Sequence, residues 1–206
     1  MFELLLHELR RKAIHLAGSL IPAVYYFIDR ETAVVLLSVI NAVLLLVEWL
    51  RLKGKLSLPG ILLRPHEKKQ VAAYIYFQLA ALLAIFIFDK TIAITALFML
   101  AFGDTASGIA GAVMKGGNVR HNSGKWIKPF PIMAVMFAAC IIVGIIVSNI
   151  PLAPDMKNLP PAVYIAGALG AAIGDAVNLR FFGKTVDDNL LIPLMAGIFM
   201  VIGNLA

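Results

Sequence analysis

Long apolar runs separated by short polar links fill most of this chain and predict helices that cross a membrane. Seven such runs can be identified: 13–28, 32–50, 71–88, 91–114, 130–149, 161–179 and 189–205. A transmembrane helix needs about 17 to 25 apolar residues, and 61% of the 206 residues are hydrophobic, too many for a soluble domain of this length. The sequence therefore predicts an all-α, polytopic integral membrane bundle of about seven transmembrane helices, forming one domain over 1–206.

Basic residues fall on one side of these seven runs. When the N-terminus is placed in the cytoplasm, every Lys and Arg lies in a cytoplasmic segment except Arg30, Lys90 and Lys157. This asymmetry follows the positive-inside rule and predicts a cytoplasmic N-terminus and an external C-terminus. The net charge of +6 is spread over several loops, so it argues against nucleic-acid binding and favours anionic lipid headgroups and an anionic soluble substrate as partners.

Acidic residues interrupt the apolar runs at three places. Asp104 lies inside the fourth run, Asp175 lies near the end of the sixth, and Asp188 lies at the start of the seventh. An ionised side chain is costly in hydrocarbon, so acids at such positions are candidates for function. We expect the three to converge near one membrane face and to form a metal and phosphate centre.

Amide side chains accompany two of these acids. Asn178 is three residues after Asp175 and projects with it, and Asn189 directly follows Asp188. Carboxylate and amide oxygens suit a hard cation such as Mg²⁺. Asp187 is interpreted either as the N-cap of the last helix or as a solvated acid. For Asp188 the cap and the ligand interpretations both stand.

The first run carries a cationic face at its cytoplasmic end. Arg11, His15, Gly18 and Pro22 recur at spacings of four, three and four, and Lys12 lies one position round the helix. Two cations and an imidazole in line favour phosphate binding. A purely topological role is the alternative for Arg11 and Lys12 taken singly.

Small residues surround the acid of the fourth run. Gly108 and Gly111 share a helix face with Asp104, and they leave room for helix packing or for a phosphate chain. Thr105 and Ser107 offer hydroxyl groups that can bond either the backbone or a ligand, and packing is favoured for Ser107.

The link between the fourth and fifth runs, 115–128, is rich in hydrogen-bond donors. It contains Lys125, a candidate for phosphate binding, but it does not match the phosphate-binding loop of nucleotide hydrolases. For Lys115 and Lys128, a solvated charge that satisfies the membrane topology is a credible interpretation.

Three segments carry a resemblance to a known family. Residues 11–18, residues 102–107 with Gly111, and residues 188–194 resemble motifs of the polyprenol kinase family, which includes dolichol kinases, phytol kinases and CTP-dependent diacylglycerol kinases. The resemblance implies CTP-dependent phosphorylation of a lipid alcohol, with functional residues at Arg11, Lys12, Asp104 and Gly111. Residues 123–128 depart from the family pattern, and the Gly-Asp-Thr segment is also similar to one in phosphatidate cytidylyltransferases.

We therefore expect phosphoryl transfer from CTP to a membrane isoprenoid alcohol, with Mg²⁺ as cofactor and the active site on the cytoplasmic side of a cell membrane or, in a eukaryote, of an endoplasmic reticulum-type membrane. The predicted catalytic residues are Asp104, Asp175, His15 and Lys12. The predicted metal ligands are Asp104, Asp175 and Asp188. The predicted nucleotide-binding residues are Arg11, Lys12, Thr105, Gly108, Gly111, Lys125, Asn178 and Asn189. The alternatives are a phosphatidate cytidylyltransferase-like CDP-lipid synthase and a cation-coupled transporter, since buried acids and glycine-rich helices also build ion pathways.

Overall fold

The computed structural model describes residues 12–13, 15–59, 67, 70–115, 128–177, 179–181 and 184–205, and these are mainly helical. The α-helices are α1 Leu20–Phe27, α2 Arg30–Leu52, α3 Ala73–Ile87, α4 Lys90–Phe98, α5 Asp104–Lys115, α6 Phe130–Asn149, α7 Pro161–Ala176 and α8 Asp188–Leu205. A π-helix, Met99–Gly103, joins α4 to α5. A short antiparallel pair, β1 Arg180–Phe181 and β2 Lys184–Thr185, lies between α7 and α8.

Four helices in the described residues are long and apolar enough to cross a membrane: Arg30–Leu52, Lys90–Met114, Phe130–Asn149 and Asp188–Leu205. Two further apolar helices, α3 and α7, have 15 and 16 residues. At 1.5 Å per residue they are about 22 to 24 Å long, which is less than the hydrocarbon thickness of about 30 Å. The predicted runs 71–88 and 161–179 therefore overestimate these two helices, and the number of crossings and the side of the N-terminus remain predictions.

The first predicted run, 13–28, is not one continuous helix. Its backbone forms a turn at Gly18 and Ser19, where the Ser19 hydroxyl donates to the carbonyl of Leu16 at 2.6 Å, and α1 begins only at Leu20. Pro22, in the first turn of α1, has no N–H group, and its ring opposes the carbonyl of the preceding turn. A continuous helix is therefore disfavoured before Pro22, where the turn at Gly18 and Ser19 lies.

One end of the bundle is cross-bonded through its connecting turns, and we call it the turn end. It comprises residues 28–30, 88–90 and 150–160. The buried Lys90 ammonium donates to the carbonyls of Ile28 and Pro154, both at 2.9 Å, and the Tyr26 hydroxyl donates to the carbonyl of Pro151 at 2.7 Å. These bonds tie the α1–α2 turn to the segment between α6 and α7.

The three basic residues that the charge pattern separates from the others all lie at the turn end. Arg30 donates to the carbonyl of Phe88, Lys90 is bonded as above, and the exposed Lys157 ammonium lies 2.9 Å from a carboxylate oxygen of Asp89. These three basic side chains, which the charge pattern sets apart, therefore lie together at one end of the described bundle.

The opposite end, which we call the acid end, contains the end of α2 and the start of α3. The carboxylate of Glu48 accepts bonds from the Arg51 guanidinium at 2.6 and 2.7 Å, from the Ala72 amide at 2.8 Å and from the Tyr74 hydroxyl at 2.7 Å. Arg51 also donates to the carbonyl of Gln70 at 2.6 Å. This buried network holds the start of α3 against the end of α2.

Close helix contact brings α7 and α8 together in the centre of the bundle. A Cβ atom on Gly170 would overlap the carbonyl oxygen of Met195, and one on Gly174 would lie 3.0 Å from the carbonyl oxygen of Leu191. The glycines of α7 therefore let the backbones approach closely. This contact brings the end of α7 beside the start of α8.

Candidate functional site

Three buried carboxylates meet at the acid end. Asp104 is the first residue of α5, Asp175 lies near the end of α7, and Asp188 is the first residue of α8; one carboxylate oxygen from each lies within 4.8 Å of the other two. Their exposed fractions are 4%, 3% and 6%. The predicted convergence of these acids is confirmed, and we call the group the acid cluster.

The π-helix determines where Asp104 lies. Gly103, its last residue, packs against α6, where an added Cβ atom would lie 2.7 Å from Sγ of Cys140 and 2.8 Å from Sδ of Met136. The Thr105 hydroxyl donates to the carbonyl of Ala101 at 2.6 Å. The wide turn is thus supported both by close packing and by a side-chain hydrogen bond.

Residues 12–13 and 15–17, before the turn at Gly18 and Ser19, are helical, and we call them the first helical segment. Two of these residues contact Asp104. Nζ of Lys12 lies 2.5 Å and Nδ1 of His15 lies 3.0 Å from the same oxygen, Oδ2. Lys12 is only 1% exposed, so a role in topology alone does not describe it. The His15 ring packs edge-on against Phe77 with centroids 5.9 Å apart, which fixes its position beside the acid cluster.

Lys128 also belongs to the site, and its interpretation as a solvated topological charge is wrong. Its Nζ lies 2.5 Å from Oδ1 of Asp175, and its backbone N–H donates to the carbonyl of Ala176 at 3.0 Å. In the sequence, Lys128 closes a basic loop and gives no sign of this contact. The only available signal is that a buried acid requires a cationic partner.

Asn189 directly follows Asp188 at the start of α8. Asn189 is fully buried, its backbone N–H donates to Oδ1 of Asp187 at 3.0 Å, and its side-chain Nδ2 lies 3.5 Å from the carbonyl of Ala73. Asp187 therefore caps α8, as predicted, while Asp188 turns into the acid cluster.

Asp175 of the acid cluster and Asn189 each have a buried side-chain oxygen without a donor among the described residues. Within the described part of the chain, no hydrogen-bond donor reaches Oδ2 of Asp175 or Oδ1 of Asn189, and both atoms are buried. A buried acceptor without a donor is costly, and oxygen ligands of this kind fit a divalent cation such as Mg²⁺.

Other predicted residues lie in different surroundings. The Thr105 hydroxyl donates to the carbonyl of Ala101, which is the backbone bond that the sequence analysis named beside a ligand role. Gly108 is half-buried on α5, and Gly111 lies against α6, where an added Cβ atom would meet Ile132 at 3.6 Å. Three predicted residues lie outside the described part of the chain: Arg11, Lys125 and Asn178.

Comparison with protein family models, with curated proteins and with solved structures finds no match to this chain.

Proposed function

We propose that this protein is a CTP-dependent kinase that transfers the γ-phosphate to the hydroxyl group of a membrane isoprenoid alcohol. The observation that carries the proposal is the acid cluster: three buried carboxylates within 4.8 Å of one another, with Lys12, His15 and Lys128 beside them. Phosphoryl transfer depends mainly on positioning and on charge neutralisation, so it needs acids and bases of this kind and no covalent nucleophile.

Asp104, Asp175 and Asp188 are the proposed ligands of Mg²⁺, with Asn189 beside them. The donor set is wholly oxygen, as Mg²⁺ prefers, and Oδ2 of Asp175 accepts no bond from the described residues. When bound, Mg²⁺ neutralises charge on the phosphate oxygens of the nucleotide.

The side chains around the acid cluster bind and orient the two substrates. Lys12 and Lys128 would bind the phosphate chain, together with Arg11 from the motif resemblance and Lys125 from the donor-rich link. His15, fixed between Asp104 and Phe77, would orient the acceptor hydroxyl. The choice of CTP rests on the resemblance of residues 11–18, 102–107 and 188–194 to polyprenol kinases.

The membrane arrangement supports a lipid acceptor and a soluble donor. We propose seven crossings with a cytoplasmic N-terminus, which places the acid end at the cytoplasmic face beside the basic loops. Phe102, two residues before Asp104, is 42% exposed and would lie against lipid. An isoprenoid chain would stay in the bilayer while its hydroxyl group reaches the acid cluster from the side.

A labelling experiment tests this function. The purified protein in detergent is incubated with Mg²⁺, with γ-labelled CTP or ATP, and with a panel of polyprenols, phytol, geranylgeraniol and diacylglycerol. We expect the label in a lipid phosphate, more from CTP than from ATP. Pyrophosphate release with phosphatidate would instead indicate a cytidylyltransferase, and absence of both products would return transport as the leading hypothesis.

A further inference from the structure

We propose that Lys128 is a phosphate-binding residue that exchanges partners: it holds Asp175 when no cation is bound, and it transfers to the phosphate chain of the nucleotide when a divalent cation binds. Cation and nucleotide binding would then reinforce each other. This inference rests on the proposed function for the identity of the anion, whereas the competition between lysine and cation does not depend on it.

The position of Lys128 allows its side chain to move while its backbone stays fixed. Its amide donates to the carbonyl of Ala176, and Pro129, which begins the entry of the chain into α6, restricts the preceding residue to an extended conformation. The Lys128 side chain is 16% exposed, whereas that of Asp175 is fully buried. The ammonium group can therefore swing outward on its flexible stem and the carboxylate cannot follow.

A cation in the acid cluster would compete directly with Lys128. Nζ of Lys128 lies 2.5 Å from Oδ1 of Asp175, and no donor among the described residues reaches Oδ2 of the same carboxylate. A divalent ion bound by Asp104 and Asp188 would also be coordinated by the Asp175 carboxylate, and its positive charge would repel the Lys128 ammonium group. Lys128 would then need another anion, and a phosphate at the mouth of the site supplies one.

The exchange has a reciprocal consequence. If a cation releases Lys128 for phosphate, then phosphate that binds Lys128 makes Asp175 available to the cation, and each ligand raises the affinity for the other by the same factor. Removal of the Lys128 charge should therefore have opposite effects on the two ligands. It should strengthen binding of a cation alone and weaken binding of the nucleotide.

The test compares wild type with Lys128→Met, which keeps much of the apolar stem and removes the charge. Mn²⁺ is the cation probe, and free Mn²⁺ is measured by electron paramagnetic resonance on the purified full chain without nucleotide. We expect Mn²⁺ to bind about five-fold or more tightly to the variant, and CTP in the presence of Mg²⁺ to bind at least about five-fold more weakly. Lys157→Met, which removes an exposed lysine paired with Asp89 at the turn end, should leave both affinities unchanged.

The direction in which the Mn²⁺ and CTP affinities change distinguishes the exchange from a structural role of Lys128. A purely structural role for Lys128 would weaken both affinities or neither, so an unchanged or weaker Mn²⁺ affinity in folded Lys128→Met, or no Mn²⁺ binding by any variant, overturns the exchange. An unchanged CTP affinity overturns the transfer to phosphate. If Lys128→Met does not fold, Lys128→Gln is measured with the same expectations. Tighter Mn²⁺ binding without lipid phosphorylation would reject the proposed kinase and retain the competition.

Discussion

At the scale of single residues, the Asp104 carboxylate joins two chemical roles. Its Oδ2 atom accepts contacts from Lys12 at 2.5 Å and His15 at 3.0 Å, and the same carboxylate belongs to the acid cluster with Asp175 and Asp188. The carboxylate thus links the first helical segment to the proposed cation site. Loss of its charge should affect the chemistry more than the packing.

Asp104→Asn keeps the side-chain shape and removes the charge. We expect turnover to fall by about 100-fold or more and Mn²⁺ binding to weaken, because one of three cluster carboxylates is lost. Folded yield, followed by size-exclusion chromatography in detergent, should persist. The matched control is Asp89→Asn, which alters an exposed acid paired with a lysine at the turn end and should leave turnover unchanged. A fully active Asp104→Asn enzyme would exclude Asp104 as a metal ligand.

Substitution of Thr105 distinguishes a structural role of its hydroxyl group from a ligand-binding role. Thr105→Val has nearly the same shape but lacks the bond to the carbonyl of Ala101, so we expect a loss of about 1 kcal/mol in stability. Nucleotide affinity should change little, and Thr105→Ser should restore stability. Thermal unfolding in detergent and nucleotide titration provide the measurements. Weaker nucleotide binding at unchanged stability would instead support the prediction made from the sequence.

The acids of the site were predictable from the sequence because hydrocarbon makes an isolated carboxylate conspicuous. Lys12 was predicted less specifically, since the same residue type is also expected from topology. Lys128 was missed because helical periodicity shows which residues share a face, and does not show which loop meets the end of α7. That contact depends on tertiary packing, whereas the bond from the Thr105 hydroxyl to the carbonyl of Ala101 is local, because it spans one turn of the same helix.

At the scale of elements, the π-helix is the irregular part of an otherwise regular membrane helix. Residues Met99–Gly103 are apolar or small and read as ordinary helix, so the sequence predicts a continuous run over 91–114. The widened turn appears only when Gly103 packs against Cys140 and Met136 of α6. Because α5 begins directly afterwards, this packing sets the direction in which Asp104 projects.

A pair of glycine substitutions on this one long helix tests that packing. Gly103→Ala would place a methyl group 2.7 Å from Sγ of Cys140, whereas Gly111→Ala would meet Ile132 at an ordinary 3.6 Å. We expect the first to cost about 1–3 kcal/mol and the second less than about 0.5 kcal/mol. Thermal unfolding in detergent gives both values. Equal stability of the two variants would contradict the close contact of the π-helix with α6.

At the scale of the whole molecule, the two ends of the bundle are built differently. The turn end is joined by short turns whose carbonyls accept bonds from Lys90, Arg30 and Tyr26, whereas the acid end holds the buried ion pairs. The helix α2 is about 34 Å long and α3 about 22 Å at 1.5 Å per residue. The two helices meet at the turn end through Arg30 and Phe88, and at the acid end the Glu48 carboxylate accepts a bond from the Ala72 amide.

Cysteine labelling tests the proposed orientation. Cys140, the single cysteine of the chain, is fully buried, so introduced cysteines can be labelled over a low background. Lys157→Cys at the turn end should react with an impermeant maleimide in intact cells. Lys55→Cys, in the exposed segment after α2, should react only after permeabilisation. The reverse pattern would invert the protein and separate the acid cluster from cytoplasmic nucleotide.

Two ion pairs of the acid cluster, Lys12–Asp104 and Lys128–Asp175, also bear on how the chain enters its membrane. Lys12 precedes its partner Asp104 in the sequence, and Lys128 precedes its partner Asp175. During synthesis, each lysine therefore leaves the ribosome before the acid it will meet. A carboxylate that arrives in the bilayer finds its counter-ion already made, and neither acidic helix has to insert as an isolated charge.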